Sequence, residues 1–218
     1  MTYIHPLAQV SYQPEPSPIL GRAVRQQRAA VIGRDTRIGP YAIVYAGAVI
    51  GNLCLIGHLS VIREGCIVGD RCLIGSGCFV NYEATIGDDV RIIEGTHVAG
   101  MARIGGGTFI GPRVSMSNMR TIDVDHQVFV PADARAPVIG ERVMIGTGAS
   151  IVAGVRIGDR AVIGQGAVVC RDVPPGGYVR GEPARNPAER RAADLERQLD
   201  AAETMVAAAA RPTVWSEP

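Results

Sequence analysis

Four histidines, His5, His58, His97 and His126, are the side chains of this 218-residue chain that ordinarily titrate near neutrality. A neutral imidazole can take a proton from an attacking nucleophile and pass it to a leaving group. Tyr82 is a poor base, because a phenol ordinarily ionises near pH ~10, so its hydroxyl suits orienting or donating. Glu83 supplies a carboxylate beside it. A zinc hydratase site would need three convergent imidazoles. The histidines are far apart in sequence, so no metal is expected. Cys54, Cys66, Cys72 and Cys78 differ by multiples of six and form no Cys-x-x-Cys pair, which favours core packing over redox or metal chemistry.

The same period of six governs the elements that must position these residues. Stepping by six from Ile32 gives Ile38, Val44, Ile50, Ile56, Ile62, Val68, Ile74, Val80, Ile86, Ile92, Val98, Ile104, Ile110 and Met116. The series resumes from Ile139 to Val169. An α-helix, with faces recurring near 3.6 residues, cannot use such a period, whereas a stacked coil can. Gly follows the aliphatic at Gly33, Gly51 and Gly69, and a second column holds Gly39, Gly57 and Gly75. The third column (Tyr45, Arg63, Asn81, Ala99, Ser117, Val152, Cys170) contains none. Three columns predict three walls, hence 18-residue triangular coils of an all-β parallel β-helix, stacked about 4.8 Å apart.

Met116 and Ile139 are 23 residues apart where six are expected, yet the Gly pattern resumes in phase. Residues 117–138 are therefore a loop excursion that returns to its own slot, and such loops are usually functional. The repeat is expected over 32–185 after an irregular segment 1–31. Asn186, Pro187 and Glu189 form a helix start, with an apolar stripe predicting a C-terminal helix over 186–210 and a loose tail, 211–218. The net charge of +1 offers no field for nucleic acid or an anionic membrane. No signal sequence or membrane span is read, so a cytoplasmic protein is expected.

The tandem pattern, closing with GVRIGDRAVIGQGAVVCRDVPPGGYVRGEPAR, resembles the hexapeptide-repeat acyltransferases. FIGPRVSMSN and EGTHVAGMARIG are similar to stretches of bacterial N-acetyltransferases acting on nucleotide-linked amino sugars. The resemblance implies a left-handed helix, a homotrimer with active sites between subunits, and an acyl-CoA co-substrate, acetyl-CoA above all. It implies transfer to the amine of a nucleotide-linked amino sugar.

On that reading the 18-residue stacking gathers a site on the Gly-free wall. His97 is the favoured base, against a plain surface imidazole, with His126 in the excursion as the second candidate. Tyr82 and Glu83 stand where one branch has a catalytic His-Glu pair, and the nucleotide-linked branch has no strong base there. Asn81, Gly100 and Asn118 are expected at the acceptor. Ala153 and Arg171, with Arg180 and Arg185, are expected along the coenzyme A. Two rivals stand beside this reading: O-acyl transfer to a hydroxyl, and a non-catalytic scaffold. Thr121 stands where the maltose-type O-acetyltransferases carry their histidine, which argues against them.

Overall fold

In the computed structural model, residues 1–15, 27–119 and 135–181 are described. They carry 24 short strands in three parallel sheets, the walls of a triangular coil. Wall A runs in nine strands from β1 (Tyr3–Ile4) to β24 (Tyr178–Val179). Wall B runs in eight from β2 (Gln9–Tyr12) to β23 (Val168–Val169). Wall C runs in seven from β3 (Val31–Ile32) to β21 (Arg156–Ile157). Partners are 18 residues apart, as in Leu73↔Arg91 and Phe79↔His97. Across the excursion Ile104 meets Ile139, so the chain leaves after wall B and takes up its slot on wall C in phase.

The core is the aliphatic column, with Ile38, Ile56, Ile62, Ile74, Ile92 and Ile110 fully buried. Two residues before each aliphatic lies the small inward slot, and it has a polar duty that the sequence reading did not include. Thr36, Ser60 and Thr96 donate from it to the Gly51, Gly75 and Gly111 carbonyls at 2.7–2.9 Å. The Cys54, Cys66, Cys72 and Cys78 thiols do the same to Gly69, Asn81, Gly87 and Ile93 at 3.0–3.2 Å. Thiol and hydroxyl thus serve one purpose, satisfying a backbone carbonyl at a corner. Burial pushes the Cys66 thiol up to about 12. The Cys72 thiol is also raised, by its contact with the Cys54 thiol and by burial.

The two glycine columns mark where coils pass closest. A Cβ on Gly57 would sit 2.6 Å from the Ser76 nitrogen of the next coil. Corners turn through a left-handed residue, including Glu83 at φ 56° and Met101 at φ 64°.

One expectation changes. Residues 1–31 are not irregular throughout, since Ile4 pairs with Ile38 and Val10 with Val44. The first coil therefore begins at Tyr3, and an early insertion before Val31 shifts its phase. The expected C-terminal helix (186–210) and the tail (211–218) lie outside the described residues. No helix occurs among the described residues.

Candidate active site

Of the expected residues, His97, Asn81, Tyr82, Glu83, Gly100, Asn118, Ala153 and Arg171 lie on wall B and on the corner between walls B and C. His97 opens β14 (His97–Val98), flanked by Phe79 and Ser115 on the neighbouring coils. Its ring stacks on the Phe79 ring, with centroids 5.8 Å apart and planes 27° off parallel. His97 Nδ1 lies 3.1 Å from the Met116 carbonyl oxygen. A carbonyl only accepts, so for a neutral ring this contact places the proton on Nδ1 and the lone pair on Nε2. The ring is thus held in the tautomer of a base.

Around the corner, one column stacks Glu64, Tyr82, Gly100, Asn118, Ala153 and Arg171 in successive coils. Gly100 has no side chain, and the Tyr82 ring lies in that space: a Cβ there would fall 2.8 Å from Tyr82 Cζ. Folded across Gly100, the Tyr82 hydroxyl accepts from Asn118 Nδ2 at 3.4 Å, and the same amide donates to the Gly100 carbonyl at 3.4 Å. These long bonds tie Asn118 to residues 36 and 18 positions earlier. Asn81 Oδ1 accepts the Tyr82 backbone N–H at 2.9 Å and fixes the turn. Glu83, left-handed and exposed, shares this corner, but no contact ties its carboxylate to His97.

Asn118 also closes the root of the excursion, because its carbonyl accepts the Arg135 N–H at 3.0 Å. Ser117 Oγ donates to the Met119 carbonyl at 2.9 Å on the same turn. Arg135, absent from the residues chosen from sequence, passes 3.3 Å from where a Cβ on Gly154 would stand. Its aliphatic stem therefore packs against the Gly154 corner, next in sequence to the buried Ala153. The signal for it was available: counting back from Ile139 places it where the excursion rejoins the coil. Sequence reading also missed Arg63, which forks onto the buried Glu64 with two bonds of 2.9 Å and lies 5.2 Å over the Tyr45 ring.

Arg171 is exposed on the B–C corner, whereas Arg180 follows β24 on wall A. The two sit on different edges of the prism. His126 and Arg185 lie outside the described residues. His58 is exposed after wall A, with Nδ1 2.9 Å from Ser76 Oγ. Among the described residues no group of three or more His, Cys, Asp or Glu is placed to hold a metal, and no helix is long and apolar enough to cross a membrane. A cavity of about 610 Å³ lined by Glu141, Arg142, Asp159, Arg160, Pro175 and Gly176 lies on the edge between walls C and A. None of the expected site residues lines it.

The bacterial transferase hexapeptide model of six repeats matches residues 29–63, 47–81 and 136–171. Nodulation protein L of Rhizobium meliloti (strain 1021) is 51% identical over 83 residues, which is 38% of this chain and 45% of that protein. A 2,3,4,5-tetrahydropyridine-2,6-dicarboxylate N-acetyltransferase of Brevibacillus brevis is 50% identical over 58 residues, 27% of this chain and 25% of that one. The chain thus spans less than half the length of these curated relatives. Among solved structures, the UDP-N-acetylglucosamine acyltransferase from Campylobacter jejuni superposes with TM-score 0.54 at 21% identity, over 83% of this chain and 66% of that one. At that identity the likeness concerns the fold, a left-handed parallel β-helix.

Proposed function

We propose, from the hexapeptide-repeat match over residues 29–63, 47–81 and 136–171, that this chain is an acyl-CoA-dependent N-acyltransferase acting on the amine of a nucleotide-linked amino sugar. The observation that carries this reading is the His97 ring, stacked on Phe79 and bonded through Nδ1 to Met116, next to the Tyr82–Gly100–Asn118 cluster. The neutral amine attacks the thioester carbonyl, and His97 Nε2 takes the proton released as the C–N bond forms. The tetrahedral intermediate expels the thiolate, the C–S bond breaks, and the imidazolium returns the proton to sulfur. The products are the amide and free coenzyme A.

Asn118 binds the sugar from the root of the excursion, with Asn81 and Gly100 shaping the corner and His126 contributing from the excursion. Tyr82 orients Asn118, because its hydroxyl is engaged there. Pantetheine lies along the small residues of the column, Ala153 above all, with Arg135 and Arg171 toward the phosphates. Arg180 and Arg185 belong to the same proposal at the closing coil, and Glu83 to the acceptor side. The active unit is a homotrimer in the cytoplasm.

The base-ready His97 also favours a second reading, O-acyl transfer, since an unactivated hydroxyl needs a base more than an amine does. Thiol release from acetyl-CoA, measured against paired amino and hydroxyl nucleotide sugars, decides between them. Release with an amino sugar alone supports N-transfer, and release with its hydroxyl counterpart supports O-transfer. No release, with no binding of coenzyme A, would leave a scaffold.

A further inference from the structure

The outward row of wall B changes character at His97. Toward the C-terminus it continues through the small Ser115 and Ser150 before reaching Val168, with Ala99 and Ser117 alongside. Toward the N-terminus it runs through Phe79, Val61 and Ile43, all half-buried. On the function proposed above, the coenzyme A arm occupies the side with the small residues and Arg171. A thioester carbonyl carbon carries sulfur on one side and the acyl chain on the other. With the sulfur toward Ser115, the acyl chain points at Phe79.

From these positions we propose that Phe79 is a specificity-determining residue that limits the acyl group to acetyl. Its ring lies 5.8 Å from the His97 ring and nearly parallel to it, so it stands across the row as a plate. Neighbouring coils are about 4.8 Å apart and carbon atoms make contact at about 3.5–4.0 Å. With the two rings stacked on one another, an acyl group held outside them at His97 meets the Phe79 edge within about one carbon contact of its carbonyl. Beyond the plate, Val61 and Ile43 continue an apolar floor that a longer chain would reach once the ring is removed. The row then ends at the polar Gln9, which pairs with Ile43.

The test rests on the proposed acyltransferase activity and is read as a ratio, so that a general loss from a less well held His97 cancels. kcat/KM is measured with acetyl-, butanoyl- and hexanoyl-CoA for the wild type, Phe79→Ala and Phe79→Leu, with one amino-sugar acceptor. The wild type should favour acetyl over butanoyl by about tenfold or more, the scale on which a site senses added methylenes. Phe79→Ala should raise the butanoyl-to-acetyl ratio by at least about tenfold, and Phe79→Leu by less. Adding Val61→Phe to Phe79→Ala should lower the hexanoyl rate again. A wild type that prefers butanoyl overturns the proposal, as does an unchanged ratio in both variants. If Phe79→Ala is inactive with every donor, the ratio in Phe79→Leu decides, and a wild-type value there overturns it. A wild type that releases no thiol with any pair refutes the acyltransferase reading instead.

Discussion

At the residue scale, what distinguishes His97 from the other described histidines is the company of its two nitrogens. His58 shares a proton with the half-buried Ser76, and His5 Nδ1 accepts the Leu7 N–H in a local turn. His97 is held by a ring on one side and a carbonyl on Nδ1. His97→Gln should lower kcat by about 10²–10⁴-fold, the usual share of a general base. Thermal unfolding should be nearly unchanged. Loss of stability with activity retained would return His97 to the role of a wall residue. Gly100 makes a second, steric prediction. In Gly100→Ala the new Cβ meets the Tyr82 ring at 2.8–3.0 Å, so the ring swings out and the Asn118 amide loses its phenolic partner. Acceptor KM should rise several-fold, with a stability cost of about 1–3 kcal/mol. Tyr82→Phe, which keeps the ring and loses the hydroxyl, should show the KM effect with little loss of stability. An unchanged KM in both variants would remove Tyr82 from the acceptor site.

At the element scale, the coils are held by ladders that repeat every 18 residues. Along the corner between walls C and A, Arg34 N–H donates to Asn52, Asn52 N–H to Asp70, and Asp70 N–H to Asp88, at 2.7–2.8 Å. The Asn52 backbone N–H, seconded by its side-chain amide, holds the Asp70 carboxyl below its ordinary value. Asp89 is lowered likewise, chiefly by its forked bond to Arg71. A depressed folded-state pKa gives stability that is present above the unfolded value, ordinarily near ~3.9, and lost as pH falls through the folded value. The melting temperature should therefore drop on acidification from about pH 5 downward. Asp70→Asn, which keeps an acceptor but cannot titrate, should flatten that dependence. Identical acid profiles for the two proteins would show that the ladder's charge does not contribute. The triplet Gly105-Gly106-Gly107 interrupts this ladder, and it resumes where Glu141 N–H donates to Asp159 at 2.8 Å.

At the scale of the whole molecule, the outer row of wall A carries exposed apolar side chains on either side of Arg37 and Arg91. Tyr3, Leu55, Phe109, Met144 and Tyr178 stand on it with 37–67% of their surface exposed. The run of Phe109, Met144, Val162 and Tyr178 in successive coils is more than isolated exposed side chains and suits burial against other copies of the chain. Light scattering on the purified protein should give three times the chain mass. Phe109→Glu with Met144→Glu should lower it if wall A is the contact. A monomeric wild type, active at all concentrations, would remove the trimer from the proposal and leave the site within one subunit.

The period of six, the three columns and the phase kept across residues 117–138 were legible in the sequence. A parallel stack couples each residue to the one 18 positions on through backbone bonds that ignore side-chain identity, so register reduces to counting. The same counting placed His97 beside Phe79, Tyr82 next to Gly100, and the four buried cysteines in one slot. It failed at the N-terminus, where the insertion before Val31 shifts the phase of Tyr3–Ile4 and Gln9–Tyr12. It also could not separate Arg171 from Arg180, because membership of the closing segment does not say which edge a residue occupies. The directions of side chains at the corners were decided by the tertiary structure. Tyr82 lies along the prism because Gly100 leaves the space below it, and His97 Nδ1 faces Met116 because the next coil presents a carbonyl there. Such choices follow from which neighbouring atoms are absent or accepting, and those atoms become neighbours only when the coils stack.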